Sequence, residues 1–214
     1  MREINKRIFT SIILISILYL SIINNIILFF TLIFIYYQII FELFRLLKKI
    51  FIKKKKKIYF ILIVSLIYIF LILIKIFNIH LFNINDQLIV FYLIVVICVF
   101  TDIGGFVFGK IIKGKKLSKI SPSKTYAGSI GSYVSSFLFS YFLFIEYYSL
   151  EDIIFFTFSI STVSQLGDLF ISHLKRKAKV KDTGDLLPGH GGILDRFDGI
   201  MFAIPTGYLI SIYI

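Results

Sequence analysis

IFTSIILISILYLSIINNIILFFTLIFIYYQII, from Ile8 to Ile40, runs for 33 residues without a charged side chain. As one helix it would be about 50 Å long, against a bilayer hydrocarbon core of about 30 Å. Asn24 and Asn25 stand near its middle. Two adjacent amides are costly in lipid and favour a turn, so the stretch reads as a hairpin of two short helices. Arg2, Lys6 and Arg7 precede it and Arg45, Lys48 and Lys49 follow it, which places both ends on one positive side. The start resembles a signal peptide in charge and apolarity but lacks a small-residue cleavage site.

Working outward, further apolar stretches run from Ile58 to Phe77, Leu88 to about Phe108, Ala127 to Ile145, Ile153 to about Ile171, and Gly199 to Ile214. That gives an all-α polytopic membrane protein of about seven transmembrane helices. With the N-terminus in the cytoplasm, the loops at 41–57, 109–126 and 173–198 are cytoplasmic, and those at 24–25, 78–87 and 146–152 face out. On this arrangement 23 of the 24 Lys and Arg fall on the inner side, and the exception, Lys75, is near enough to the outer end of its helix to snorkel. The expected location is the inner (cytoplasmic) membrane of a cell, with the lipid bilayer as a partner.

Composition agrees. Of 214 residues 58% are hydrophobic and only 17% charged, too few polar groups to clothe a soluble globule. The net charge of +12 would suggest nucleic acid in a soluble chain, but here its placement is that of topology, so no nucleic-acid partner is expected. The run Lys53 to Lys57 can bind anionic headgroups, although topology alone calls for such charges. Cys98, the single cysteine, excludes an intramolecular disulfide and a Cys-based zinc site. Residues 1–97 read as generic membrane helices and 98–214 as the part carrying chemistry, within one integral membrane unit.

The acids of the second part are not where topology would put them. Asp102 lies inside the fourth span, where an uncompensated carboxylate costs several kcal/mol. Gly105 and Gly109 share its helical face, leaving a groove for another backbone or for a ligand. A carboxylate paired to a lysine of the next loop is the alternative. Asp168, Ser172 and Lys175 fall at i, i+4 and i+7 on one face, with Arg176 adjoining. Asp195, Arg196 and Asp198 open the last span. Asp168, Asp195 and Asp198 at one membrane level, without His or Cys pairs, suit a hard cation such as Mg²⁺; helix capping is the alternative for Asp195 and Asp198. Pro188-Gly189-His190-Gly191-Gly192 has the composition of a phosphate cradle, with Lys175, Arg176, Lys177, Lys179 and Lys181 upstream. Ser121-Pro122-Ser123-Lys124-Thr125, just before a helix, is a second anion-binding composition. Gly109 to Lys115 spells the start of a P-loop, but Lys116 replaces its Ser or Thr and a membrane helix precedes it, so it is set aside. An intramembrane, cytoplasm-facing site of carboxylates, cations, hydroxyls and glycine turns is the equipment of phosphoryl or nucleotidyl transfer.

Gly167-Asp168-Leu169, Ser172, Lys175-Arg176, Lys181-Asp182, the 188–192 turn, Leu194-Asp195-Arg196 and Asp198 closely resemble the C-terminal signature of the phosphatidate cytidylyltransferase (CDP-diacylglycerol synthase) family. Thr101-Asp102, Gly104-Gly105, Gly109 and the 121–125 segment resemble two further segments of that family, in the same order. The resemblance is strong from about 98 to 205. It departs at Ala127 and Ile171, where relatives often carry acids.

The resemblance implies that CTP and phosphatidic acid give CDP-diacylglycerol and pyrophosphate, in phospholipid biosynthesis. It implies Asp168, Lys175, Arg176, Asp195, Arg196 and Asp198 as catalytic, with Asp168, Asp195 and Asp198 on Mg²⁺ and room for a second, monovalent or divalent, cation. Asp102, Ser121, Ser123, Lys124, Thr125, Ser172, Lys181, Asp182, Gly189, His190, Gly191 and Gly192 would bind substrate, and a homodimer is compatible with it. An ion- or proton-coupled transporter is the rival of another class, but outward of Asp102 the spans are nearly all apolar. A CDP-alcohol phosphotransferase would need an aspartate-rich D-G-x-x-A-R type pattern that is not found.

The basic asymmetry generates a topology prediction. Cysteines placed at Lys55, Lys115 and Val180 should be labelled by an impermeant thiol reagent only after the cytoplasmic face is opened. Labelling of any of them in intact cells would reverse the orientation.

Overall fold

The computed structural model describes residues 2–52, 54–82, 84–118, 121, 124–187 and 191–213, and only the backbone of residues 2–8 and 11. Its helices are α1 (Arg2–Ile23), α2 (Asn25–Ile50), α3 (Lys55–Leu81), α4 (Asn85–Ile112), α5 (Tyr126–Phe144), α6 (Leu150–Lys177), α7 (Leu194–Phe197) and α8 (Ile200–Ile210). Among the described residues there is no strand, only isolated antiparallel bridges at Lys116–Thr125 and Leu187–Gly191.

The all-α polytopic expectation holds: the chain is a multi-pass membrane protein. Helices α2 to α6 are each long and apolar enough to cross a bilayer. Large apolar side chains stand outward from them, Phe60 at 70% exposure and Phe142 at 75%, as lipid permits and water does not. Among the described residues five helices meet that measure, and the count of seven that the apolar runs suggested is not confirmed. The last, α8, has 11 residues, about 16 Å of helix, and among the described residues of α1 the stretch Ile12–Ile23 is apolar but shorter than a span.

Several expected loops are shorter than the charge pattern implied. The 41–57 loop is a correction: α2 continues as helix through Ile50, leaving only 51–54 between it and α3. Likewise α4 runs to Ile112 and α6 to Lys177, because charged side chains do not stop a helix and, at 28 residues, each exceeds a bilayer core and projects beyond it. The 24–25 turn is as expected. Its amide is used locally, Asn24 Oδ1 accepting from Ile26 N at 2.8 Å and so capping α2.

The chain forms two compact units, 1–84 with 174–197, and 85–173 with 198–214. In the first, α1 and α3 pack on α2, with Ser21 Oγ and Thr31 Oγ1 joined at 3.1 Å and the Phe29 and Phe77 rings 5.5 Å apart. The buried stripe of α2 is Leu28, Ile35, Ile39, Leu43, Leu46 and Leu47, and it contains one acid, Glu42.

In the second unit α4 lies against α5 through small residues on both helices. A Cβ on Gly104 would come within 2.5 Å of the Gly131 carbonyl and 2.8 Å of Ser135 Cβ. One on Gly128 would come 2.7 Å from the Gly105 carbonyl. The approach lets serine hydroxyls of α5 reach backbone of α4: Ser132 Oγ donates to Thr101 O at 2.6 Å and Ser135 Oγ to Phe100 O at 2.7 Å. The glycine groove beside Asp102 is thus filled by α5, the first of the two occupants its composition allowed.

That packing is testable. Gly104→Leu should destabilise the protein by about 1–3 kcal/mol or prevent insertion, read as unfolding in mixed detergent. Unchanged unfolding would mean that α4 and α5 are not in this contact.

Candidate functional site

In the second unit, the acids are brought together by the one glycine of the Gly167-Asp168-Leu169 sequence. A Cβ on Gly167 would sit 2.7 Å from Asp198 O and 3.3 Å from Gly199 Cα, so only glycine lets the turn before α8 lie against α6. The next residue, Asp168, then meets Asp198, and the two carboxyls are hydrogen-bonded to each other. Burial, then the charge and the hydrogen bond of Asp168, then the charge of Asp102, hold the Asp198 carboxyl well above the usual carboxylate range, against the pull of the Gly199 N–H, which donates to Asp198 Oδ1 at 2.9 Å.

Asp168 has two further partners. Ser172 Oγ, one turn on, donates to Oδ1 at 3.3 Å, and the Lys124 ammonium forms an ion pair with Oδ2. Lys124 is positioned by its own loop. Leu117 N donates to Lys124 O at 2.8 Å, Lys124 N to Ser121 O at 3.1 Å, and Thr125 Oγ1 caps α5 by accepting from Gly128 N at 3.0 Å. Ser121 is buried. Asp102 is exposed, on an α4 that continues ten residues past it.

The first unit holds the other half of the expected residues. Asp195 is met on every side: Oδ1 accepts from Lys175 Nζ at 2.7 Å, and Oδ2 from Thr183 N at 2.8 Å, Gly192 N at 3.0 Å and Thr183 Oγ1 at 3.0 Å. Burial works against its ionisation, but the Lys175 ammonium and the two backbone N–H groups outweigh it, holding the carboxyl below its ordinary range. Gly191, at φ +82°, would carry a Cβ 2.9 Å from Asp195 Oδ2. Lys181 and Asp182 are exposed and line a cavity of about 310 Å³ with Arg45, Lys49, Thr183 and Asp185. Arg176 and Arg196 are exposed. Ser123, Gly189 and His190 lie outside the described residues.

Of the three expected metal ligands, then, Asp168 and Asp198 meet in the second unit, with the charge of Asp102 acting on Asp198. Asp195 belongs to the first unit, where its oxygens already accept from Lys175 Nζ, Thr183 N and Gly192 N, with the hydroxyl of Thr183 shared between it and Glu42. No group of three His, Cys, Asp or Glu close enough to hold a cation occurs among the described residues. Two hard-oxygen carboxylates pressed together fit a divalent cation that takes its other ligands from water and substrate phosphates, which is how Mg²⁺ is ordinarily held.

Sequence reasoning missed Glu42. Its buried carboxylate accepts from Thr183 Oγ1, Ile193 N and Leu194 N. The signal available was its position: an acid on the apolar stripe of a membrane helix, two residues beyond the uncharged run.

The cytidylyltransferase family model matches residues 1–214. A Rickettsia bellii protein named phosphatidate cytidylyltransferase is 40% identical over 138 residues, 60% of this chain and 59% of the relative. Proteins of the same name from Staphylococcus saprophyticus and Synechocystis sp. are 41% identical over 118 residues, 53% of this chain and 45% of the relative, and 43% identical over 111 residues, 50% and 38%. The chain thus aligns with about half the length of the curated relatives it matches.

The donors around Asp195 generate a pH prediction. Because its folded-state pKa is lowered, its stabilisation is complete above the unfolded value, about pH 4, and is lost as pH falls through the folded value. Asp195→Asn should therefore cost about 2 kcal/mol at pH 7, and the gap from the unsubstituted protein should close in acid. Asp198, with the opposite sign, is common to both proteins and cancels. A gap independent of pH would contradict the arrangement.

Proposed function

The chain belongs to the cytidylyltransferase family, and from that premise we propose that it transfers a cytidylyl group from CTP to phosphatidic acid, giving CDP-diacylglycerol and pyrophosphate. The observation that carries the reading is the meeting of Asp168 and Asp198 with Lys124 among membrane helices, in a chain whose relatives bear the name phosphatidate cytidylyltransferase.

The chemistry suits the residues. A phosphate oxygen of the lipid attacks the α-phosphorus of CTP, a new P–O bond forms, and the bond to the β-phosphate breaks with pyrophosphate leaving. The attacking oxygen is already anionic near neutral pH, so no strong base is needed and catalysis reduces to alignment and charge compensation. Asp168 and Asp198 would hold Mg²⁺, which supplies charge neutralisation at the phosphates when bound. Lys124 is placed to exchange its ion pair with Asp168 for a substrate phosphate. In the first unit Lys181 and Arg196 present cations, and Lys175 is steadied by Asp195. The basic loops support an active site facing the cytoplasm, where CTP is found.

The division of labour separates two variants. Asp168→Asn keeps size and one acceptor but removes the charge, and should lower kcat by orders of magnitude in protein that remains folded. Lys124→Ala should act mainly by raising KM for an anionic substrate. Near-native kcat for Asp168→Asn at saturating Mg²⁺, with kcat lost in Lys124→Ala, would remove Asp168 from the reactive centre.

A further inference from the structure

Glu42 is 2% exposed, on the apolar stripe of α2 and well inside the helix. Eight residues, or about 12 Å of helix, separate it from the end of α2 at Ile50. A carboxylate there is costly unless its oxygens are met, and no ion pair to Glu42 occurs among the described residues. What meets it is one segment of chain, more than 140 positions away in sequence. Oε1 accepts from Ile193 N at 2.9 Å, and Oε2 accepts from Leu194 N at 2.9 Å and Thr183 Oγ1 at 2.6 Å.

Two glycines make the fit possible. A Cβ on Gly184 would lie 2.7 Å from Oε1, and one on Gly192 would lie 2.6 Å from Cδ of the same carboxylate. The backbone at 183–184 and 192–194 is therefore shaped around the Glu42 side chain. Thr183 Oγ1 also faces Asp195 Oδ2 at 3.0 Å, so one hydroxyl ties the buried acid of α2 to the acid that holds Lys175. Glu42 and Asp195 together account for both Thr183 and the N–H groups of Gly192, Ile193 and Leu194, and the exposed Lys181 and Arg196 lie two residues from these held positions.

We propose that Glu42 is a positioning residue: it acts through Thr183, Ile193 and Leu194 to hold residues 181–184 and 191–196 of the first unit in the shape that presents their cations to the phosphates of a nucleotide. This rests on the transferase reading for the identity of the ligand, and on α2 alone for the geometry. Glu42 does not touch substrate.

The test compares the full-length protein with Glu42→Gln and with Thr183→Val in detergent, by hydrogen exchange of peptides covering 191–196, by equilibrium binding of CTP and by transferase kinetics. Glu42→Gln keeps the volume and one acceptor but offers donors where Leu194 N–H and Thr183 need an acceptor. Exchange at 193 and 194 should accelerate at least tenfold, with peptides of α4 and α5 unchanged, and the Kd and KM for CTP should rise about tenfold with kcat within threefold. Thr183→Val should shift both constants the same way by less, and the double variant should be no worse than Glu42→Gln alone. General destabilisation would instead lower the active fraction and leave KM and Kd in place, so unchanged constants in the folded variants overturn the proposal. If Glu42→Gln does not fold, the Kd of Thr183→Val decides in the same sense. An unsubstituted protein that binds CTP but moves no cytidylyl group to lipid would overturn the transferase reading, while the Kd comparison still decides the role of Glu42.

Discussion

A carboxylate carried to membrane depth has to be met by donors or by another charge, and the polar architecture of this chain follows from how its acids satisfy that requirement. Glu42 is answered by backbone N–H groups and a hydroxyl. Asp195 is answered by an ammonium as well as by such groups. Asp168 and Asp198 are answered by Lys124, Ser172 and the Gly199 N–H, and by each other. The first two acids are satisfied within the fold and organise it. The last pair is where the proposed cation would bind.

Glycine is the residue that makes each of these arrangements sterically possible. Gly184 and Gly192 admit the Glu42 carboxylate, Gly191 adopts a left-handed backbone beside Asp195, and Gly167 admits the chain at Asp198 and Gly199. The same device, used without acids, seats α4 on α5 at Gly104 and Gly128. A side chain at most of these positions would displace backbone or a carboxylate rather than a flexible tip, so the tolerated exchanges there are few.

Much of this was legible in the sequence. Uncharged runs gave the membrane helices, and Asn24 gave the first turn because an amide in lipid has few uses other than to cap a helix. The resemblance in 98–205 selected Asp168 and Asp198. What was not legible follows from physical causes. Helix ends were misjudged at Ile50, Ile112 and Lys177 because charge marks where lipid ends, not where hydrogen-bonded helix ends. Glu42 was passed over because its partners are remote in sequence and two of the three are backbone groups, which carry no side-chain signature. The capping alternative for Asp195 was close to its observed role: it does accept backbone N–H groups, of Gly192 and Thr183, but as the hub of a loop rather than at the head of a long helix.

The most direct test of the account follows the fate of each phosphate. Purified protein in mixed micelles with phosphatidic acid and Mg²⁺ would receive CTP labelled at either the α- or the γ-phosphorus, and the chloroform-extractable lipid would be counted. The account predicts α-label in lipid, dependent on phosphatidic acid and abolished by chelation, with γ-label confined to water-soluble pyrophosphate. Transfer of the γ-label to lipid, or no phosphatidic-acid-dependent transfer of either label by folded protein, would contradict it.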